Sequence, residues 1–262
     1  MEDLRVALIQ SDIYWENIDA NLSMFEEKIW QIEGDSDLIV LPEMFTTGFT
    51  MDPKPLAEPM NSKTFRWMKQ QAAQTKATIM GSYIVNVGGQ FFNRLMCIHP
   101  NGSSHHYDKK HLFGLAGEDQ KYTAGKQRVI VEIKGWKVLP LICYDLRFPV
   151  WARSQKQGNN LYEYDVVLYV ANWPKPRVAS WDALLAARAI ENVAYSIGVN
   201  RMGVDGVNAT YVGHSSVYNC FSEKLAFSDK EEIIQAELSA RQLELFRSRF
   251  PFQKDADDFE FN

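Results

Sequence analysis

Cys143 stands where a nucleophile could act, because it ends an apolar segment and begins a turn. Residues Val138–Ile142 before it have the composition of a buried strand, and a segment that predicts a helix follows. A strand-to-helix turn projects its side chain beyond the sheet and aims the next backbone N–H groups at the same point. The alternative is that Cys143 is a small buried hydrophobic residue, as most cysteines are. Cys97 and Cys220 lack such a turn.

A thiol must lose its proton before it attacks, and its ordinary pKa of about 8.5 leaves little thiolate at neutral pH. Glu43 ends another apolar strand between Pro42 and Met44, where partial desolvation would raise its pKa toward the range useful for proton transfer. The pair Lys109 and Lys110 offers an ammonium that could hold an oxyanion and lower the thiol pKa. The alternatives are an exposed glutamate in a turn and a solvated lysine pair.

In chain order, the segments LPEMFTTGF, YDKKHLF and LICYDLRFP resemble the three signature motifs of the nitrilase superfamily of carbon-nitrogen hydrolases. The resemblance implies a catalytic triad in which Glu43 is the general base and acid, Lys109 stabilises the oxyanion and Cys143 is the nucleophile. Lys109 rather than Lys110 fits the family pattern, which is lysine, any residue and then His-Leu-Phe.

The resemblance also assigns groups around this triad. The family has a second glutamate downstream of the lysine; Glu118 falls in register and Asp119 is the alternative. Its implied role is to orient Lys109 and the substrate. The backbone N–H of Tyr144 is expected to share the oxyanion with Lys109. The implied reaction passes through a thioester on Cys143 and uses no metal and no organic cofactor.

Further segments extend the resemblance over roughly the whole chain: VANWP at 170–174, which resembles the family's strand end that lines the pocket, ARAIEN at 187–192, NRMG at 200–203 and VGHSS at 212–216. The segments YDKKHLFGLAGEDQKYTAG and CYDLRFPVWAR resemble the corresponding sequences of the bacterial ω-amidase branch. That branch implies hydrolysis of the terminal amide of 2-oxoglutaramate and 2-oxosuccinamate. The alternatives are an N-carbamoyl amine hydrolase, an aliphatic amidase, a nitrilase, or a non-catalytic interaction module, against which the intact Glu–Lys–Cys set argues.

Aromatic residues in and after these motifs are candidates for the walls of a small substrate pocket. They are Phe45, Phe113 and Trp173, and each could equally belong to the core. A substrate carboxylate would need a cation or N–H donors, for which Arg147 and Arg177 are candidates. The resemblance also allows Arg147 to pair with acidic neighbours, which would make its role structural.

Short helix-period segments between β-branched apolar runs predict an α/β fold, and a Gly-Gly turn between Val85 and Phe91 predicts a hairpin. The resemblance implies a four-layer αββα sandwich with mixed sheets. Residues 1–262 are expected to form a single domain, with a tail from about residue 250 that is frayed or docks on a neighbouring subunit. The predicted strands are Val6–Gln10, Leu38–Leu41, Thr78–Asn86, Arg94–His99, Lys137–Cys143, Val166–Ala171, Tyr195–Asn200 and Ser215–Tyr218, and the predicted helices are Asn17–Glu33, Ser62–Thr75, Val150–Gln157, Ser180–Asn192 and Ala240–Arg249.

Composition and charge limit the partners. The formal net charge of -5, with scattered basic residues, gives no general attraction to nucleic acid or anionic lipid. No stretch approaches the roughly 20 apolar residues that span a bilayer, and the N-terminus does not resemble a signal peptide.

Three separated cysteines without a C-x-x-C motif indicate a reducing compartment, the cytoplasm. His105 and His106 are expected to be solvated rather than metal ligands, and the resemblance implies a homodimer that acts on a small amide.

Overall fold

A computed structural model of the chain describes residues 1–156, 158 and 160–260, and its centre is a pair of mixed β-sheets. The strands are β1 (Leu4–Gln10), β2 (Leu38–Val40), β3 (Glu58–Pro59), β4 (Thr78–Val87), β5 (Gln90–Ile98), β6 (Ser104–Asp108), β7 (Val131–Ile133), β8 (Trp136–Ile142), β9 (Val166–Ala171), β10 (Tyr195–Asn200), β11 (Met202–Val204), β12 (Thr210–Val212), β13 (Ser215–Tyr218), β14 (Lys224–Ser228) and β15 (Glu232–Leu238). The α-helices are α1 (Ile18–Trp30), α2 (Lys63–Thr75), α3 (Glu118–Lys121), α4 (Pro149–Ala152), α5 (Val178–Asn192) and α6 (Ala240–Arg249), and 3₁₀ turns span Gly114–Ala116, Cys143–Arg147, Lys175–Arg177 and Phe252–Asp255.

The first sheet has the strand order β15-β1-β2-β4-β5-β6, with β3 beside β4. Strands β1, β2 and β4 run parallel to one another, whereas β15, β5 and β6 pair antiparallel with their neighbours. Gly88 and Gly89 join β4 to β5 with φ angles of 59° and 86°. A two-residue hairpin turn of this hand requires positive φ at both positions, which glycine adopts without strain. The predicted hairpin is therefore confirmed.

The second sheet has the order β14-β13-β10-β9-β8-β7, and its central strands β8, β9 and β10 are parallel. Helix α5 connects β9 to β10 and packs on the sheet at Gly198. A Cβ atom at this position would lie 2.4 Å from Leu185 Cδ1 and 2.6 Å from Trp181 Cζ2, so glycine permits the close approach. Parallel strands end at the same edge of a sheet, and the residues after β8 and β9 therefore meet there.

The first sheet lies between the second sheet and a helical layer, as the alternating side chains of β1 show. Val6 and Leu8 belong to the core shared with the second sheet. Ala7 and Ile9 belong to a separate core with Phe25 of α1 and Met68 of α2. Burial of a side chain the size of Phe25 stabilises the fold by about 1.5–3 kcal/mol. With α5 on the outer face of the second sheet, the predicted four-layer αββα sandwich with mixed sheets is confirmed.

The predicted helix Val150–Gln157 is wrong over most of its length, because α4 covers only Pro149–Ala152. The following backbone makes its hydrogen bonds elsewhere: Ser154 N donates to Asn192 Oδ1 at 2.9 Å. Gln157 lies outside the described residues.

The tail from about residue 250 packs on its own chain as far as residue 260. Gln253 is buried, donates to Ser154 O at 2.7 Å and accepts from Arg153 Nη2 at 3.0 Å. Lys156 Nζ donates to Ala256 O at 2.9 Å. Residues 261 and 262 lie outside the described part, and docking of the tail on another subunit stays a prediction. None of the helices in the described ranges has the length and apolar character to cross a bilayer.

Candidate active site

Cys143 follows β8 and begins the 3₁₀ turn Cys143–Arg147. Its φ angle is 43°, in the left-handed region that a residue with a side chain seldom adopts and that recurs at functional sites. The thiol lines an internal cavity, with Sγ 3.9 Å from Asn172 O. The N–H of Tyr144 belongs to the first residues of the turn, which lack an intrahelical partner. Cys97 and Cys220 are buried and do not line this cavity.

Glu43 lies just beyond β2 with a fully buried carboxylate that accepts hydrogen bonds on both oxygens. Oε1 accepts from Lys109 Nζ at 2.9 Å and from Asn93 Nδ2 at 2.8 Å. Oε2 accepts from Asn172 N at 2.8 Å and Asn172 Nδ2 at 3.3 Å. These donors compensate the burial of the carboxylate and fix its direction, since the orientation of each oxygen is set by two partners.

Lys109 follows β6, is 1% exposed, and its ammonium bridges two carboxylates. Nζ donates to Glu43 Oε1 at 2.9 Å and to both oxygens of Glu118 at 3.0 and 2.9 Å. Burial alone would favour the neutral amine, but the charges of Glu118 and Glu43 outweigh it and raise the Lys109 pKa above its ordinary value. Lys110 lies elsewhere, 5.3 Å over the ring of Trp151.

Glu118 begins α3 and its side chain is fully buried against Lys109, whereas Asp119 is exposed. Glu118 Oε2 also accepts from Phe113 N at 2.6 Å, which attaches the segment after the lysine to the same carboxylate. Burial raises the pKa of Glu118, Lys109 opposes that shift, and the charge of Glu43 adds to it. The structure thus brings Glu43, Lys109, Glu118 and Cys143 together, with their sequence positions spread over both sheets.

The environment of the thiol differs from the expectation that a lysine lowers its pKa. Burial raises the pKa of Cys143 well above its ordinary value, and the charge of Glu43 adds to the shift. Lys109 acts in the opposite direction but is outweighed, because it is already neutralised by two carboxylates. A raised pKa favours the neutral thiol, so attack by this sulfur would require a base.

We expect Cys143 to show no thiolate absorbance at neutral pH, because a raised pKa shifts deprotonation to a pH above that of free cysteine. The measurement is an ultraviolet difference spectrum between wild-type protein and Cys143→Ala, recorded over a pH series. Cys97 and Cys220 are present in both proteins and cancel. A thiolate band in the difference spectrum at neutral pH would contradict the assignment of Glu43 as the required base.

The cavity has a volume of about 340 Å³. Its predicted wall residues Phe113 and Trp173 do line it, but Phe45 does not. Phe45 is fully buried in the core beside α1 and α2, with its ring 5.5 Å from the ring of Phe25, so the prediction of Phe45 as a pocket wall is wrong. Phe49 takes that place. The main apolar wall residues are Trp15, Phe49, Met51, Phe113, Trp173 and Tyr211.

Two guanidinium groups face the cavity. Arg147 lies 4.9 Å over the ring of Trp173, and Arg177 lies 5.3 Å over the ring of Phe113. Neither guanidinium forms an ion pair or hydrogen bond with another described residue. The expected pairing of Arg147 with acidic neighbours is therefore not found within the described ranges. Both cations are available to an anionic group of a ligand.

Two asparagines of the site were not predicted. Asn93 lies within β5, where no local sequence pattern separates it from other buried polar residues. Asn172 was noted only as part of the ANWP segment, although it follows a buried strand and so had a positional signal. A third missed residue, Asp205, caps the β11–β12 turn beside the cavity by accepting from Val207 N and Tyr211 OH.

A thiol at a cavity, beside a buried carboxylate and a buried ammonium, is the set of groups that a thiol hydrolase uses. The family model described as carbon-nitrogen hydrolase matches residues 5–248, and the chain belongs to this family. It is 46% identical to omega-amidase YafV of Escherichia coli (strain K12) over 99% of both chains. It is 31% identical to 2-oxoglutaramate amidase of Bacillus subtilis (strain 168) over 95% of this chain and 96% of that one.

The fold also matches that of XC1258 from Xanthomonas campestris, a CN-hydrolase superfamily protein whose crystal structure has an arsenic adduct in the active site. The TM-score is 0.97 with 38% identity, and each chain is covered completely. These similarities confirm the predicted membership in the nitrilase superfamily and the predicted resemblance to its ω-amidase branch.

Proposed function

We propose that this protein is an ω-amidase that hydrolyses the terminal amide of 2-oxoglutaramate or 2-oxosuccinamate to the acid and ammonia. The observation that carries the proposal is the convergence of Cys143 with the Glu43–Lys109–Glu118 cluster at a cavity that also presents two arginines without an ion pair to any described residue. The relatives named omega-amidase and 2-oxoglutaramate amidase, which match nearly the whole chain, support the substrate class.

In the first step Glu43 takes the Cys143 proton as sulfur attacks the amide carbon. The carbon–sulfur bond forms and the carbonyl oxygen becomes an oxyanion. Lys109 and the N–H of Tyr144 stabilise this oxyanion, and one donor placed in this way lowers the barrier by about 3–4 kcal/mol. Proton transfer and attack are coupled because the thiol pKa is raised.

In the second step Glu43 returns the proton to the amide nitrogen, the carbon–nitrogen bond breaks and ammonia leaves. The acyl group remains on Cys143 as a thioester. A water molecule then loses a proton to Glu43 and attacks the thioester carbon, which releases the acid and restores the thiol. Asn93 and Asn172 hold Glu43 in one orientation throughout, so the same carboxylate serves as base, acid and base again.

The remaining part of the cavity suits a short dicarboxylate monoamide. The whole cavity has a volume of about 340 Å³, which corresponds to roughly eleven groups the size of a water molecule at about 30 Å³ each. The aromatic walls pack on methylene groups, and Arg147 and Arg177 bind the carboxylate at the end remote from the amide.

A substrate panel tests the function. Ammonia release is measured from 2-oxoglutaramate, L-glutamine, L-asparagine and carbamoyl-β-alanine at matched concentrations. We expect the highest kcat/KM for 2-oxoglutaramate, because the two guanidiniums favour acceptor oxygens and disfavour an ammonium. A preference for carbamoyl-β-alanine would overturn the proposal in favour of an N-carbamoyl amine hydrolase.

Replacement of either arginine should weaken substrate binding. We expect Arg147→Gln and Arg177→Gln each to raise KM for 2-oxoglutaramate about tenfold or more, the loss that follows from removing a hydrogen bond to a charged group. The control is propionamide, which has no carboxylate and should keep its KM in both variants. Equal changes for both amides would indicate a structural role for the arginines instead.

We further propose that the protein is a cytoplasmic homodimer and that residues 1–262 form one domain. Strand β15 near the end of the chain pairs with β1 near its beginning, which supports one domain. The exposed apolar side chains Val150 and Ile190 support a partner surface near α4 and α5. Sedimentation of the purified protein tests the dimer.

A further inference from the structure

Asp145 lies at the centre of a buried hydrogen-bond network that takes no part in the reaction steps above. Its side chain is fully buried. Oδ2 accepts from Ile142 N at 3.0 Å and from Tyr107 OH at 2.8 Å. Oδ1 accepts from His111 N at 3.0 Å and His111 Nδ1 at 2.8 Å. Four donors therefore surround one carboxylate, which compensates its burial.

One side of this network holds the nucleophile. The bond from Ile142 N to Asp145 spans Cys143, whose backbone has the strained φ of 43°. A strained residue keeps its conformation only where surrounding contacts over-determine it. Asp145 supplies one such contact from within the same turn.

The other side of the network holds the lysine segment. Tyr107 and His111 flank Lys109 at two residues on either side, and both donate to Asp145. Tyr107 OH also accepts from Lys110 N at 3.2 Å. The segments that carry Lys109 and Cys143 are thus both hydrogen-bonded to Asp145, although the two residues follow strands of different sheets.

We propose that His111 is a positioning residue, whose side-chain N–H to Asp145 fixes Lys109 relative to Cys143. Nδ1 carries the proton because its partner is a carboxylate oxygen. The ring does not line the cavity and stacks on Phe148 with 3.8 Å between centroids and an interplanar angle of 10°. The His111 side chain therefore combines a polar contact to Asp145 with ring contacts to Phe148 and, at 6.0 Å between centroids, to Trp151.

Two substitutions separate these contacts. His111→Asn keeps an N–H donor near the position of Nδ1 and removes the stacked ring, whereas His111→Phe keeps a ring on Phe148 and removes the donor. We expect His111→Phe to lower kcat about 10- to 100-fold, because small displacements of catalytic groups cost that much. We expect His111→Asn to stay within about threefold of wild type and KM to stay within about twofold in both variants, since the substrate contacts are intact.

Alkylation of Cys143 by iodoacetamide gives a second measurement that needs no substrate. Asp145 keeps its bond to Ile142 N in both variants, and Lys109 lowers the thiol pKa, so a displaced lysine should slow alkylation of His111→Phe while His111→Asn matches wild type. A role in packing alone predicts the reverse order, with His111→Asn the slower enzyme, and would overturn the proposal. A lower kcat of His111→Phe with an alkylation rate equal to that of wild type would also overturn it, because Lys109 would then have kept its place beside the thiol.

This inference rests on the proposed function for the amide used in the kcat assay. Failure of wild-type protein to hydrolyse any amide of the panel counts against the proposed function. A wild-type enzyme that is active, combined with equal kcat values for wild type and His111→Phe, counts against His111 alone.

Discussion

Cys143→Ala should abolish ammonia release from 2-oxoglutaramate, with a loss of about 10⁴- to 10⁶-fold in kcat. The neighbouring groups cannot replace the sulfur, because short hydrogen bonds hold Lys109 Nζ to both Glu43 and Glu118. The fold should remain intact, since the smaller alanine side chain fits in place of the thiol at the cavity wall. Ammonia release and near-ultraviolet circular dichroism measure the two effects.

The matched control for this variant is Cys220→Ala. Cys220 is a buried free thiol that does not line the cavity, so this protein should keep wild-type turnover. Mass spectrometry of protein mixed rapidly with substrate should detect an acyl adduct on wild type and on Cys220→Ala only. Turnover by Cys143→Ala would remove the thioester from the mechanism.

Lys109→Met should lose both activity and stability. The substitution leaves Glu43 and Glu118, each fully buried, without their shared counter-ion. Removing one partner of a buried ion pair destabilises a fold by about 3–5 kcal/mol, and loss of an oxyanion donor lowers kcat by about 10²- to 10³-fold. Chemical denaturation gives the free energy of unfolding, and ammonia release gives kcat.

Lys110→Met provides the control, because its ammonium lies over Trp151 and outside the cavity. This variant should be close to wild type in both measurements. The double variant Lys109→Met with Glu118→Gln should recover part of the lost stability without activity, since only one buried charge remains. A Lys109→Met protein as stable as wild type would contradict the charge assignment of the cluster.

The catalytic cluster was largely predictable because its members follow strands. Glu43 and Cys143 come shortly after β2 and β8, where local sequence marks the end of an apolar run. Lys109 follows β6, which has the sequence SHHYD and was not predicted as a strand. Resemblance to a family selected these residues from their neighbours and placed Glu118. Asn93 was not predictable in this way, because it lies within a strand and its role depends on where Glu43 docks.

The side-chain directions in the loop after β2 were not predictable from residue types. Met44 has a φ of 45°, which turns the chain so that Phe45 enters the core. Phe45 N then donates to Ser82 O, and the cavity is walled by Phe49 instead. Both phenylalanines suit an apolar environment, so only the backbone conformation distinguishes them.

The direction in which the pKa of the Cys143 thiol shifts could not be predicted from the sequence, because it depends on all the charged groups around the sulfur. Sequence supplied one lysine near one cysteine, whereas the structure places two carboxylates on that lysine, buries these three charged groups and leaves Cys143 partly buried at the cavity. Strands β14 and β15 were not predicted either, because their sequence patterns do not alternate clearly between apolar and polar residues. In β15 charged and apolar residues share a half-exposed strand, and its partner β1 lies at the opposite end of the chain.

The pairing of β1 with β15 constrains how the protein is made. Leu4 pairs with Leu238 and Gln10 with Glu232, so one edge of the first sheet has no partner until nearly all of the polypeptide has left the ribosome. Contacts this distant in sequence slow folding, and an unpaired strand edge invites association with other chains. Nascent chains that stop before residue 232 should therefore bind chaperones strongly, and the catalytic cluster should become active only after synthesis is complete.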